Sequence, residues 1–64
     1  MINFVCDYAL ASPSILINKV EELIPNSTAY FTDIDEDRFI LQALVHEMDR
    51  ENLFSLVQPF LYRA

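Results

Sequence analysis

Not one of the 64 residues is glycine. Glycine is the residue that enters positive φ without steric cost, so every reversal of this chain must be built from Asn, Asp or Pro. Three segments can do so: Ser12-Pro13, Pro25-Asn26 and the run Asp33-Ile34-Asp35-Glu36-Asp37. They divide the chain into short apolar segments and exclude glycine-rich phosphate-binding loops outright.

Four of the five residues in Asp33–Asp37 are carboxylates, and they lie between the apolar runs Ala29–Phe31 and Phe39–Val45. This is the pattern of an acidic turn displayed by a hairpin. Such a cluster on a solvated tip favours a basic surface. Asp33, Asp35, Glu36 and Asp37 are therefore the candidate partner-binding residues, with a solvated turn of no binding role as the competing reading.

The segments between the turns have readable periods. In Ile2–Tyr8, Ile2, Phe4, Cys6 and Tyr8 alternate with Asn3, Val5 and Asp7, which predicts a strand. Ser12 is a favoured N-cap, and Pro13 suits the first helical position because its missing N–H has no intrahelical partner. Leu16, Ile17, Val20, Leu23 and Ile24 then form one helical stripe, with Ile15 left on the polar side. Pro25-Asn26 ends that helix. Thr28–Thr32, rich in β-branched and aromatic residues, predicts a second strand. Phe39–Val45 shows no helical stripe and reads as a strand buried on both faces. Leu41, Ala43 and Leu44 carry the competing helical reading. Asp49 is placed to cap a last helix, Arg50–Tyr62, with a stripe of Leu53, Phe54, Leu56, Val57, Phe60 and Leu61. Pro59 lies on its polar side and is expected to kink or shorten it.

The expected architecture is an α+β fold: residues 1–64 as a single domain of two layers, in the order β-α-β-β-α, with both helices on one face of a three-stranded sheet. The crossover from the first strand to the second should be parallel and right-handed. The other sheet face would keep Val5, Ile40 and Leu44, a candidate oligomer interface. Self-association is expected because a chain this short buries only about 60% of its unfolded surface and needs support from elsewhere. With one cysteine and one histidine, neither an intramolecular disulfide nor a four-ligand zinc site can supply it. Ile, Leu, Val and Phe nonetheless make up 23 of the 64 residues, well above the ~20% that marks disorder.

Function classes narrow on the same grounds. Ten acidic against four basic residues give a net charge of −6, against direct nucleic-acid binding and against anionic lipid. No run approaches the ~20 apolar residues of a membrane span. The N-terminal segment lacks the basic residues of a signal peptide, so a cytoplasmic location is expected and the sequon Asn26-Ser27-Thr28 is read as unmodified.

No metal or other cofactor is expected. Asp33-x-Asp35-x-Asp37 begins like a calcium loop but has Arg38 where glycine is required and Leu44 where a bidentate glutamate is required. His46-Glu47 begins like a zinc-protease motif whose second histidine is replaced by Arg50. A Cys6–His46 dyad is the one nucleophilic pairing the composition allows, and 64 residues leave little material for a pocket around it. Cys6 reads instead as a buried filler. Tyr62, projecting from the polar arc of the last helix, is a further candidate contact residue, against a partly packed C-terminal side chain.

The expected protein is therefore small, acidic and non-catalytic, acting by stoichiometric binding to a protein partner with a basic surface. Its most concrete form is an inhibitor of a nucleic-acid-handling protein, of antitoxin, immunity or phage anti-defence or host-takeover type. The alternative is a structural or assembly subunit, a homodimer formed through the apolar sheet face.

Overall fold

A computed structural model describes residues 1–64. It shows β1 at Ile2–Asp7, α1 at Pro13–Leu23, β2 at Thr28–Asp33, β3 at Arg38–Leu44 and α2 at Arg50–Val57, with short 3-10 turns at Glu47–Asp49 and Gln58–Phe60. The three strands form one sheet in the order β1-β3-β2. β3 is antiparallel to both neighbours. β1 and β2 therefore run parallel, as the crossover through α1 requires, but β3 sits between them. The short turn after β2 forces β3 to lie beside it, since tight turns join antiparallel neighbours.

Strand register decides the two faces. Across the sheet, Ile2, Ala43 and Ala29 stand in one row, Phe4, Leu41 and Phe31 in the next, and Cys6, Phe39 and Asp33 in the third. Cys6, Phe39, Leu41, Ala43 and Ala29 from these rows are buried and form one cluster with Leu16, Val20, Ile24, Leu53 and Val57. Phe39 is its largest member, and the rings of Tyr8 and Phe31 lie against it with centroids 4.8 and 6.3 Å away. The intervening rows carry Asn3, Gln42 and Tyr30, and Val5, Ile40 and Thr32. β3 is a strand as predicted, but it is not buried on both faces: Phe39, Leu41 and Ala43 are buried while Ile40 and Gln42 are half-buried.

α1 starts as its sequence dictates. The Ser12 hydroxyl accepts a bond from the Ile15 N–H at 3.4 Å, and Pro13 occupies the first turn. Leu16 and Val20 are buried, and Ile15 is exposed. Leu23 departs from the predicted stripe: it is 62% exposed, and Ile24, just past the helix, is buried instead. The chain leaves the helix at Ile24, whose extended backbone turns its side chain inward. Asn26 then takes φ 61°, the single positive-φ residue of the chain. Asparagine tolerates that region better than other non-glycine residues, so it serves as the reversal this glycine-free sequence needs. The Ser27 hydroxyl donates to the Ile24 carbonyl at 2.6 Å and, at 3.2 Å, to the Val20 carbonyl, which also accepts the Ile24 N–H at 2.9 Å.

The last predicted helix is corrected by the structure. It ends at Val57, not Tyr62. Pro59 has no N–H to continue the helical ladder, and its ring collides with the carbonyl one turn back. The backbone tightens into the Gln58–Phe60 turn and becomes extended at Leu61, with φ −66° and ψ 142°. At the other end Asp49 holds the N-cap position, but its side chain makes no capping bond. The 3-10 turn before it supplies the entry, with the Asp49 N–H bonded to the His46 carbonyl at 2.9 Å. Phe54, assigned to the apolar stripe, is exposed.

Candidate functional site

The β2–β3 hairpin pairs Asp33 with Phe39, and the Ile34 N–H still reaches the Arg38 carbonyl at 3.2 Å. The loop proper is thus Asp35, Glu36 and Asp37. Asp35 closes it. One carboxylate oxygen accepts the N–H groups of Asp37 and Arg38 at 2.8 and 3.0 Å. The other accepts the Arg38 guanidinium through Nε and Nη2 at 3.1 and 2.6 Å. An aspartate that bonds backbone N–H groups two and three residues ahead imitates a backbone turn, which glycine would otherwise have to provide. The Arg38 guanidinium holds the Asp35 carboxyl below the usual carboxylate range, helped by the Asp37 N–H. Asp35 in turn raises Arg38.

Asp33 is also engaged. It accepts the Tyr8 hydroxyl at 2.5 Å. That bond, made to the neutral phenol, pushes the Tyr8 pKa up. β1 reaches the hairpin because the Tyr8 N–H donates to the Asp37 carbonyl at 3.0 Å, one step beyond the β1–β3 ladder. Glu36 and Asp37 are different: both are exposed and their carboxylates accept no hydrogen bond. Tyr8, Asp33, Asp35 and Glu36 line an open depression beside the tip. With Arg38 offsetting one of four carboxylates, the tip keeps a formal charge of −3.

Tyr62 is not on a helix. Its extended backbone lies along the outer edge of β1, with its N–H donating to the Val5 carbonyl at 2.9 Å, while Leu61 bridges to Cys6. Its half-buried ring faces the Arg38 guanidinium, 5.3 Å from Cζ to the ring centre. Cation–π attraction and the ion pair therefore hold Arg38 from two sides. The structure brings Asp33, Asp35, Glu36, Asp37 and Tyr62 to one end of the sheet through Tyr8 and Arg38, two residues that sequence reasoning did not select. The Asp35-to-Arg38 spacing was a visible signal for the second. Tyr8 needed the strand order.

Val5, Ile40 and Leu44 do share the opposite sheet face. Val5 is 43% and Leu44 46% exposed, and Ile40 is half-buried. Val5 and Ile40 are direct neighbours, but Gln42 stands between Ile40 and Leu44, and its amide accepts the Thr32 hydroxyl at 3.3 Å. The face is mixed rather than wholly apolar.

Cys6 and His46 do not meet. Cys6 pairs with Phe39 at the start of β3, and His46 follows the far end of that strand. Burial pushes the Cys6 thiol up to about 11, the opposite of what a nucleophile needs. No three metal-ligating side chains are drawn together, and no helix is long and apolar enough to cross a membrane. Comparison with known proteins finds no matching family model, no matching curated protein and no matching solved structure.

Proposed function

We propose that the chain is a small non-catalytic, cytoplasmic binding protein that engages a basic protein surface stoichiometrically through the β2–β3 hairpin tip. The concrete form we favour is inhibition of a nucleic-acid-handling partner, of antitoxin, immunity or phage anti-defence type. One observation carries this reading. Glu36 and Asp37 present unpaired carboxylates on a turn already closed by Asp35, so a partner meets a pre-ordered charged surface and little ordering entropy opposes binding. Occlusion of a basic surface needs complementary charge and shape, not catalytic groups. The test is capture from a host lysate on immobilised protein, comparing the parent with Glu36→Gln/Asp37→Asn. The expected result is one dominant basic partner, released by high salt and lost in the double variant, whose circular dichroism is unchanged. Equal capture by parent and variant would overturn the reading.

A second reading is favoured by the exposure of Val5 and Leu44 beside Ile40. In it the chain is an assembly subunit that pairs with another copy through this sheet face. Sedimentation at micromolar concentration is then expected to give a dimer, and Val5→Ser/Ile40→Thr a monomer. A monomeric parent would remove this alternative.

A further inference from the structure

The outer edges of a sheet carry N–H and C=O groups without a ladder partner. At β1 the chain covers this edge itself, through the Tyr62 bond to Val5 and the Leu61 bridge to Cys6. At β2 it does not. The Ile34 N–H faces β3, so by the two-residue period of a strand Thr28, Tyr30 and Thr32 face β3 as well, and Ala29, Phe31 and Asp33 turn their backbone groups outward. Ala29 confirms the direction: its N–H is taken by the Glu21 carboxylate at 3.0 Å. Nothing in the structure takes the outward groups of Phe31 and Asp33. The side chains along this open stretch are exposed, Phe31 by 47% and Tyr30 by 50%. Carboxylates stand at both ends of it, Glu21 at one and Asp33, with Glu36 and Asp37 of the adjoining turn, at the other.

We propose that the Phe31–Asp33 edge takes an extended basic segment of a protein partner as a fourth strand. The proposal rests on the function argued above and names how the partner is held. A residue opposite Phe31 exchanges both of its backbone bonds, an apolar side chain of the segment covers the Phe31 ring, and its lysines or arginines reach the carboxylates at either end. Backbone bonds give such strand addition its affinity, and alternate side chains give it selectivity. Charge complementarity selects this occupant over a second copy of the chain. The strand Thr-Ala-Tyr-Phe-Thr-Asp holds no basic residue, and each copy carries a net charge of −6.

The test uses a short synthetic peptide alternating lysine and valine, titrated into isotope-labelled protein and followed by amide NMR. The expected result is shifted and exchange-protected amides at Phe31 and Asp33. Methylating the peptide nitrogens that face the edge should weaken binding about tenfold, the loss of one to two backbone hydrogen bonds. Phe31→Thr, which keeps the backbone donor, should weaken it severalfold. If the methylated peptide binds equally well and only Glu36 and Asp37 respond, strand addition is wrong while tip recognition stands. If the peptide elicits no response at edge or tip, both fail. If the Phe31 amide becomes protected with protein concentration alone, the occupant is a second copy and the proposal is overturned.

Discussion

Asp35 makes four hydrogen bonds within its own turn, whereas Glu36, the next residue, makes none with its side chain. The two carboxylates therefore have separate roles, one shaping the tip and the other facing outward. Asp35→Ala is expected to lower the melting temperature at neutral pH and to broaden the amide signals of residues 34–38, while Glu36→Gln changes neither. The pH dependence has a definite sign. Asp35 is depressed in the folded chain below its ordinary 3.8, so its contribution is complete above that value and is lost as pH falls through the depressed one. Melts of parent and Asp35→Ala should converge in that acid range. Cys6 is the second test at this scale. With its thiol raised to about 11 and no exposed surface, it should resist a thiol-specific disulfide reagent at pH 8 in the native protein and react fully in denaturant. Fast native labelling would show that the sheet opens there. The sequence displayed the acidic cluster plainly and placed Cys6 inside. It did not separate engaged from free carboxylates, because that depends on where Arg38 and Tyr8 lie in three dimensions.

Among the elements, Pro59 has the most consequence. It stops α2 two turns into the helix and sends Leu61 and Tyr62 along β1. Pro59→Ala is expected to let the helix run on, raising helical circular dichroism and removing exchange protection from the Tyr62 amide, which in the parent is bonded to Val5. A protected Tyr62 amide in the variant would show that edge pairing, not the proline, sets the path. The apolar period reaches Leu61, but period alone does not distinguish a kinked helix from a turn followed by an extended segment. Leu61 points at the core in either conformation, so its hydrophobicity carries no information on which one forms. α1 was more legible: Ser12, Pro13, Pro25 and Asn26 each act through local stereochemistry, and each stands where that stereochemistry requires.

For the molecule as a whole, ten buried side chains in 64 residues hold two short helices and three strands together. Leu41 lies in the middle row of the central strand, fully buried between Phe4 and Phe31. Leu41→Ala should cost about 2–5 kcal/mol. Domains in general have about 5–15 kcal/mol to lose, and a chain this small stands near the lower end. The variant should therefore unfold at a much lower urea concentration than the parent. A change below about 1 kcal/mol would mean that the sheet repacks around the gap, as a loosely packed core would allow.

Apolar spacing, caps and turn residues by themselves determined the strands, the first helix, the buried face of β1 and the acidic tip, because these depend on interactions within a few residues. The strand order β1-β3-β2, the reach of Tyr8 to Asp33, the extended path of Tyr62 beside Val5 and the open outer edge of β2 were decided only by the tertiary structure. Each joins residues more than 20 positions apart or depends on which strand lies outermost. The physical reason is that a strand's side-chain alternation is the same at the centre of a sheet as at its edge. Only the assembled sheet determines which backbone groups are left without a partner.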